Sequence, residues 1–310
     1  MKKQKVLVTG GAGFIGSNIS DLLISNNYEV VILDNFSTGK KENVNPHVKV
    51  HYGDVKTISR EVLEEENPEY VIHNAAQINV RSSIEDPLRD ALENIIGSIS
   101  LLEACKNKKI KKFVFASSGG TIYGNKQTLP VKETASLKPL SPYGIAKSTI
   151  EQYLKFYNAT FGLEYVALRY ANVYGPRQNP EGEAGIISVF LNQILTDKRP
   201  CIWGDGKQTR DFVYVGDVAR ANLLALDYSG TQKVFNIGTG KETSINNLYT
   251  IVKEITKYDL TAKHNPDYVE SIPKTALDCT LAKNLLNWEP LTSLEQGIRK
   301  MLNNLRKMPK

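Results

Sequence analysis

Tyr143 and Lys147 stand four residues apart, just behind Ser141-Pro142. A serine followed by proline reads as the cap and first turn of a helix, so the phenol and the ammonium are expected on one helical face. An ammonium close to a phenol stabilises the phenolate. A tyrosine that ordinarily titrates at about 10 then becomes an acid or base at neutral pH, able to move a proton on and off a hydroxyl. By itself the pair is commonplace, and a half-buried tyrosine beside a surface lysine explains it as well.

Its context comes from the run Thr9-Gly10-Gly11-Ala12-Gly13-Phe14-Ile15-Gly16, which fits both G-x-x-G-x-x-G and G-x-G-x-x-G. The run follows a strand-like apolar stretch and opens a helix-like one. Glycines there let the backbone turn sharply and approach a pyrophosphate, whose charge the free N–H groups of a helix start attract. Eighteen residues after Gly16, the next apolar run ends in Asp34. A carboxylate in that place accepts hydrogen bonds from an adenosine ribose and repels a 2′-phosphate, which selects NAD over NADP.

These residues need a sheet to hold them. β-branched runs alternate with amphipathic stretches, so that 5–9, 14–26, 28–33, 48–52, 58–66 and 70–74 read strand, helix, strand, strand, helix, strand. A helix over 87–106, a strand over 112–116, a helix over 142–161 and a strand over 165–170 continue the pattern. The expected class is α/β, a Rossmann-type doubly wound parallel sheet over 1–171. After Tyr170 the rhythm changes to a loop rich in Gly, Pro and Asn over 172–185, a helix over 186–195 and shorter elements. Residues 172–310 are expected to form a smaller α/β domain for the substrate, with some segments returning to the first. Pro290 and Thr292-Ser293-Leu294-Glu295 predict a capping box at the start of a final helix.

The 310 residues are 41% hydrophobic and 23% charged, with 22 Gly and 13 Pro, which excludes disordered and collagen-like classes. The apolar runs are too short to cross a bilayer, and the one behind Met1-Lys2-Lys3-Gln4-Lys5 is too short for a signal peptide. A cytoplasmic location without membrane contact is expected. Cys105, Cys201 and Cys279 are scattered, and His47, His51, His73 and His264 do not cluster with them, so neither a disulfide nor a bound metal is expected. The net charge of +6 is densest over 106–112, which lacks aromatic interleaving and reads as a solvated surface segment, not a nucleic-acid contact.

With both motifs in place, the chain resembles the extended short-chain dehydrogenases/reductases, and most closely the UDP-glucose (UDP-galactose) 4-epimerases. The likeness is carried by residues 10–16, Asp34-Asn35-Phe36-Ser37-Thr38-Gly39, Gly53-Asp54-Val55, His73-Asn74-Ala75-Ala76-Gln77, Asn94, 117–124, 143–147, Leu168-Arg169-Tyr170-Ala171-Asn172-Val173-Tyr174-Gly175-Pro176-Arg177 and 204–215. It implies an NAD site made of Gly10, Gly13, Phe14, Ile15, Gly16, Asp34, Asn35, Ser37 and Gly39. Asp54 and Val55 would meet the adenine, while Ala75, Ala76 and Gln77 line the cofactor's path with Asn94 beneath. For a UDP-sugar, the resemblance gives Asn172 and Arg210 to the diphosphate and Trp203 to the uracil face. Arg suits phosphate oxygens and an indole offers a stacking surface. The plainer alternatives are core packing for Trp203 and an ion pair with Asp211 for Arg210.

The implied reaction is 4-epimerisation. Tyr143 as phenolate takes the sugar O4 proton while hydride leaves C4 for NAD, and the 4-keto sugar turns over before the hydride returns. Lys147 supports the phenolate, and a serine hydroxyl bonds the reacting oxygen, Ser118 ahead of Ser117. Two departures stand out. The hydroxyl residue usual four places before the Tyr-Gly pair is Gly119 here, and residues 268–278 lack an expected phosphate-clamping arginine. Within that segment Thr275 takes the position bordering the sugar, small enough to admit a 2-acetamido group. Sugar dehydratases and UDP-glucuronate decarboxylases use a carboxylate just after the catalytic hydroxyl, which Gly119-Gly120 does not supply. A UDP-glucuronate epimerase, a decarboxylase or dehydratase, and a non-catalytic NAD-binding regulator remain as alternatives, and the resemblance implies a homodimer joined through two long helices, one carrying Tyr143.

Overall fold

Val6-Leu7-Val8 and Val30-Val31-Ile32-Leu33 are apolar at consecutive positions, as strands covered on both faces must be. They form β1 (Lys5–Thr9) and β2 (Glu29–Asp34), joined by α1 (Phe14–Ser25). β3 (Lys49–Tyr52), α2 (Val55–Glu66) and β4 (Tyr70–His73) follow, then α3 (Val80–Glu85), α4 (Pro87–Asp90) and α5 (Gly97–Cys105). β5 (Lys112–Ser118), α6 (Pro142–Phe161) and β6 (Tyr165–Tyr170) complete the first half. The computed structural model describes residues 3–125, 128–180, 185–266 and 272–307.

The second half runs through β7 (Asn172–Tyr174), α7 (Ile186–Leu195), β8 (Cys201–Trp203), β9 (Thr209–Arg210) and β10 (Phe212–Tyr214). It continues with α8 (Val215–Asp227), β11 (Val234–Ile237), β12 (Thr243–Ser244), α9 (Ile245–Thr256), β13 (Lys263–Asn265), α10 (Thr280–Leu286) and α11 (Leu294–Lys307). The main sheet has seven parallel strands in the order β11-β6-β5-β4-β1-β2-β3, the Rossmann-type arrangement. Parts of 172–310 therefore re-enter the first unit, since β11 pairs with β6 and α8 packs on α1.

Alternation along the strands divides the core. Val6, Val8, Ile32 and Ile72 pack with α1 and α8 on one face of the sheet, while Leu7, Val31, Val71 and Phe115 pack with α2, α5 and α6 on the other. Each such side chain fully withdrawn from water contributes about 1.5–3 kcal/mol. A third core around Phe190, Leu248, Val252 and Met301 joins α7, α9 and α11 in the second half.

Four expectations change in detail. The helix expected over 87–106 is α4, a π-helical turn over Ala91–Ile96, and α5, and that wider turn is where Asn94 sits. Asp54 starts α2 earlier than its apolar periodicity suggests, because its Oδ1 accepts from the Lys56 N–H at 2.8 Å. The capping box of α11 is one residue along: Ser293 Oγ accepts from Gln296 N–H at 3.2 Å, and Gln296 Oε1 from Ser293 N–H at 3.1 Å. The basic run is not all solvated, since Lys112 is buried in β5 with its ammonium 3.5 Å from Glu164.

Candidate active site

The strand order reverses between β1 and β4, and a ligand is taken in the crevice beyond their C-terminal ends. Thr9 and His73, paired in register, end those two strands. The Thr9 hydroxyl lies 2.7 Å from His73 Nδ1, His73 Nε2 lies 2.9 Å from Ser98 Oγ, and Ser98 donates to the Asn94 carbonyl at 2.6 Å. Ser98 gives its one proton to Asn94 and so accepts from Nε2–H, which leaves Nδ1 to accept from Thr9. Burial, reinforced by the Lys147 charge, holds the His73 pKa at about 3, and the ring stays neutral. The Ala75 N–H ends the chain on Thr9 Oγ1 at 3.3 Å. Ser98 carries no motif signal in the sequence, and Thr9 enters it only as the first residue of the glycine run.

Gly10 opens the turn with φ +68°, and a Cβ there would stand 2.7 Å from the Ala75 nitrogen, so only glycine fits. Gly13 caps α1 without any side-chain hydrogen bond, and the first turn holds no acid. The N–H groups of Phe14, Ile15 and Gly16 lack intrahelical acceptors and face the crevice end of the helix, an anion-binding arrangement. Asp34 Oδ2 accepts from Ala12 N–H at 2.9 Å and Oδ1 from Phe36 N–H at 2.8 Å, so the buried carboxylate is aimed across the turn with lone pairs to spare for ribose hydroxyls. Gly39 packs against Ala12 and Asp34. Asn35 links this turn to the next, donating to Asp54 Oδ2 at 3.1 Å and accepting the Ser37 N–H at 3.0 Å, and Val55 is buried just beyond Asp54. An uncapped helix start with a fixed acid one strand away fits the pyrophosphate and adenosine of NAD.

Ala75, Ala76 and Gln77 form the loop after β4, and Asn94 holds it by the backbone. Asn94 Oδ1 accepts from Gln77 N–H at 2.9 Å, and its Nδ2 donates to Gln77 O at 3.0 Å and to Asp90 Oδ1 at 2.8 Å. With its amide so engaged, Asn94 supports the loop more than it reaches past it.

Ser141 Oγ accepts from Gly144 N–H at 3.2 Å and Pro142 takes the first turn, so α6 starts where the sequence places it. Lys147 is 4% exposed and donates to the Ala116 carbonyl at 2.9 Å, with its ammonium 5.7 Å from the centre of the Tyr143 ring and 4.9 Å from that of Phe115. Burial lowers its pKa to about 8, against a counter-pull from Asp90. Ser118 ends the same strand two residues after Ala116. Its Oγ accepts from Thr121 Oγ1 at 2.9 Å, which leaves its own proton to donate.

Ser117 faces the opposite way and gives its proton to Glu151 at 2.6 Å, inside a buried network in which Arg169 pairs with Glu151 at 2.5 Å and donates to Tyr123 at 2.8 Å. Its hydroxyl is engaged away from the crevice, so the structure separates the two serines that the sequence left together. The departure at Gly119 also has a cause: a Cβ there would lie 2.5 Å from Leu277 Cδ1 and 3.2 Å from the Arg169 carbonyl.

Leu277 belongs to the segment after residue 272 that packs against Gly119 and Gly120. Gly119, Gly120, Lys274 and Thr275 line one small cavity, and the Thr275 hydroxyl is buried without a hydrogen-bond partner among the described residues. Residues 268–271 of the divergent segment lie outside the described residues. A larger cleft of ≈ 810 Å³ opens one residue past Trp203, lined by Gly204, Lys207, Gln208, His264 and Lys274. Trp203 is 49% exposed, which removes core packing as its explanation. Arg210 donates to the carbonyls of Thr209 at 2.8 Å and Ile272 at 3.0 Å. Asp211 beside it is fully buried and accepts from Thr239 N–H, Thr239 Oγ1, Gly240 N–H and Leu277 N–H, a knot tying three segments together. Asn172 is exposed, its Oδ1 3.8 Å from where a Cβ on Gly120 would lie.

His51, Glu65 and Glu66 also converge, but lysines already sit on the acids: Lys49 Nζ is 2.5 Å from both Glu65 and Glu66, and Lys5 Nζ is 2.9 Å from Glu66. Cys105, Cys201 and Cys279 are free thiols. No helix among the described residues is long and apolar enough to cross a membrane.

The sequence profile of the NAD dependent epimerase/dehydratase family matches residues 6–238. A putative UDP-glucose 4-epimerase of Methanocaldococcus jannaschii is 48% identical over 96% of this chain and 97% of its own length. Among solved structures, UDP-glucose 4-epimerase of Thermotoga maritima with UDP-glucose superposes with a TM-score of 0.96 at 47% identity, covering 98% of this chain and 99% of that one. UDP-N-acetylglucosamine 4-epimerase of Methanobrevibacter ruminantium, in complex with UDP-N-acetylmuramic acid, superposes with a TM-score of 0.92 at 38% identity, covering 99% of this chain and all of that one (100%).

Proposed function

Because this chain belongs to the NAD dependent epimerase/dehydratase family and is an enzyme of the UDP-sugar 4-epimerase kind, we propose that it interconverts UDP-glucose and UDP-galactose. The observation that carries this reading is the buried Lys147 ammonium, fixed on Ala116 beneath the Tyr143 ring. A cation so placed favours the phenolate, and Tyr143 takes the proton from sugar O4 and later returns it. Ser118 donates to that oxygen as its charge changes. The glycine cradle would hold NAD, which would supply the hydride acceptor and, in its reduced form, the donor on return. Gly119 and Gly120 bring no carboxylate to the site, which favours epimerisation over elimination or decarboxylation.

In the substrate half, the exposed indole of Trp203 stacks the uracil and Arg210 takes the diphosphate, with Asn172 beside it. Lys274 borders both the large cleft and the small cavity, and so stands as the cation where the expected arginine is missing. The unpartnered Thr275 hydroxyl favours a second substrate pair: with no bulky ring at that position, a 2-acetamido group has room and an available hydroxyl, so UDP-N-acetylhexosamines are accepted as well.

A homodimer in the cytoplasm completes the reading. Leu88 and Leu92 on the α4 side, with Ile145, Tyr153 and Phe156 along α6, leave an exposed apolar face that a second copy would cover by two-fold symmetry. Purified protein mixed with UDP-galactose should form UDP-glucose without added reductant. Protein that holds NAD yet converts no UDP-hexose would overturn the reading.

A further inference from the structure

Asp211 is fully buried, and each acceptor site of its carboxylate is taken. Oδ1 accepts from Thr239 N–H at 2.8 Å and from the Thr239 hydroxyl at 2.6 Å. Oδ2 accepts from Gly240 N–H at 3.0 Å and from Leu277 N–H at 3.1 Å. The chain is shaped to close on these oxygens. A Cβ on Gly238 would stand 2.5 Å from Oδ2, and Gly240 turns with φ +72°, so two glycines let the N–H groups converge as an anion nest. Each of these partners donates, so the site is built for the ionised acid. An asparagine would lose two acceptor sites and set its NH2 against donors.

Three residues read above as substrate contacts depend on this one position. Arg210 precedes it in the chain, and the saturated carboxylate has no lone pair left for that guanidinium. The Asp211 carbonyl accepts the Asn172 N–H at 2.9 Å, where β10 and β7 pair. Through Leu277 N–H, Asp211 also holds the segment that carries Thr275. That segment is laced to β9 as well, with Thr209 N–H on the Pro273 carbonyl at 2.9 Å and Thr275 N–H on the Thr209 carbonyl at 3.3 Å. Its far side is bound to Val131, which donates to the Ala276 carbonyl at 2.8 Å and accepts from Asp278 N–H at 2.8 Å. Leu277 then packs on Gly119, directly after Ser118.

We propose that Asp211 is a positioning residue for the UDP-sugar: its carbonyl and carboxylate tie Asn172, Arg210 and the Thr275 segment together, joining the diphosphate end of the site to the sugar end. The inference rests on the substrate reading given above, and it concerns the group behind the contacts rather than a further contact.

The test uses NAD-loaded wild type, Asp211→Asn, Thr239→Val and Thr239→Ser, with Arg210→Ala as control, each kept well below its unfolding midpoint. UDP binding is read by calorimetry, and KM and kcat with UDP-galactose. Asp211→Asn should weaken UDP about fivefold and raise KM about tenfold, while kcat falls less than about threefold and NAD affinity changes less than about twofold. Thr239→Val removes one donor and leaves the acid, so KM should rise about threefold, and Thr239→Ser, which keeps the donor, should restore it. A knot that only stabilises the fold would lower the unfolding midpoint and leave UDP affinity and KM unmoved, and that result in Asp211→Asn overturns the proposal. If Asp211→Asn fails to fold, the Thr239 pair decides, and equal KM in its two variants overturns the proposal too. Arg210→Ala separates the two readings. Wild-type UDP affinity in that control overturns the diphosphate site itself, whereas weakened UDP there beside an unmoved Asp211→Asn removes only the part given to Asp211.

Discussion

The Lys147 ammonium donates to the Ala116 carbonyl at 2.9 Å, tying the helix that carries Tyr143 to the strand that ends in Ser118. That hydrogen bond joins the two elements that carry the proposed base and the proposed hydroxyl. Lys147→Ala would lose both the charge and this tie.

Removing the phenolic oxygen should leave binding intact. Tyr143→Phe is expected to bind NAD and UDP-sugar like the wild type and to lose about a hundredfold or more in kcat, the low end for a general acid/base. Near-normal turnover would show that the proton moves elsewhere.

The two serines should fail differently. Ser118→Ala removes a donor to the reacting oxygen, so kcat should fall about a hundredfold with thermal stability unchanged. Ser117→Ala removes one of two donors to Glu151 Oε1, with Arg169 Nε remaining at 2.9 Å, so it should cost about 1–3 kcal/mol of unfolding free energy with far less effect on turnover. Denaturant melts paired with initial rates would distinguish them, and the opposite pattern would reverse the assignment.

Activity and stability should diverge in alkali. Burial lowers Lys147 from 10.5 to about 8 in the folded protein, so its charge is present below pH 8 and lost above it. Epimerase activity should therefore decline as pH rises through 8. The unfolded chain keeps that proton to higher pH, and between the two values it binds more protons than the native state. Stability from this group accordingly rises across the window where activity falls. A Lys147→Met variant followed by pH-dependent melting should lose this stability increment, and an unchanged slope would contradict the assignment.

Asp34→Ala should weaken NAD binding and narrow its advantage over NADP, as read by fluorescence titration with both cofactors. The variant also releases the Ala12 and Phe36 N–H groups, so part of the loss is a looser turn. Equal wild-type affinity for the two cofactors would remove the role given to Asp34.

Thr275→Tyr fills the cavity beside Gly119 and Gly120. It should depress turnover of UDP-N-acetylglucosamine far more than that of UDP-glucose, because an overfilled site binds the larger sugar only with strain. Equal losses on both sugars would contradict the gate.

The fold was legible because its signals are local. The glycines, the acid at the end of β2 and the Ser-Pro cap of α6 each announce their own geometry within a few residues, and α6 starts where they place it. What stayed hidden depends on contacts between distant parts of the chain. Which serine faces the crevice is decided by Glu151, 34 residues from Ser117, and the glycine at 119 is explained by Leu277. The π-helical turn at Asn94 carries no periodic signature, since one wide turn barely disturbs the apolar spacing. Asp90 and Ser98 lack motif neighbours, and only the folded sheet shows what they hold.

β11 lies against β6, with Ala167 N–H on the Lys233 carbonyl at 2.8 Å and Ala171 N–H on the Ile237 carbonyl at 2.9 Å. During synthesis β6 therefore emerges about 67 residues before the strand that covers it. At roughly 5–20 residues per second, that interval is about 3–13 s in which a strand buried on both faces in the folded protein stands as an open edge. The nascent chain is most exposed to chaperones and to mispairing in that interval, and a ribosome stalled before codon 234 would release a sheet without its final strand.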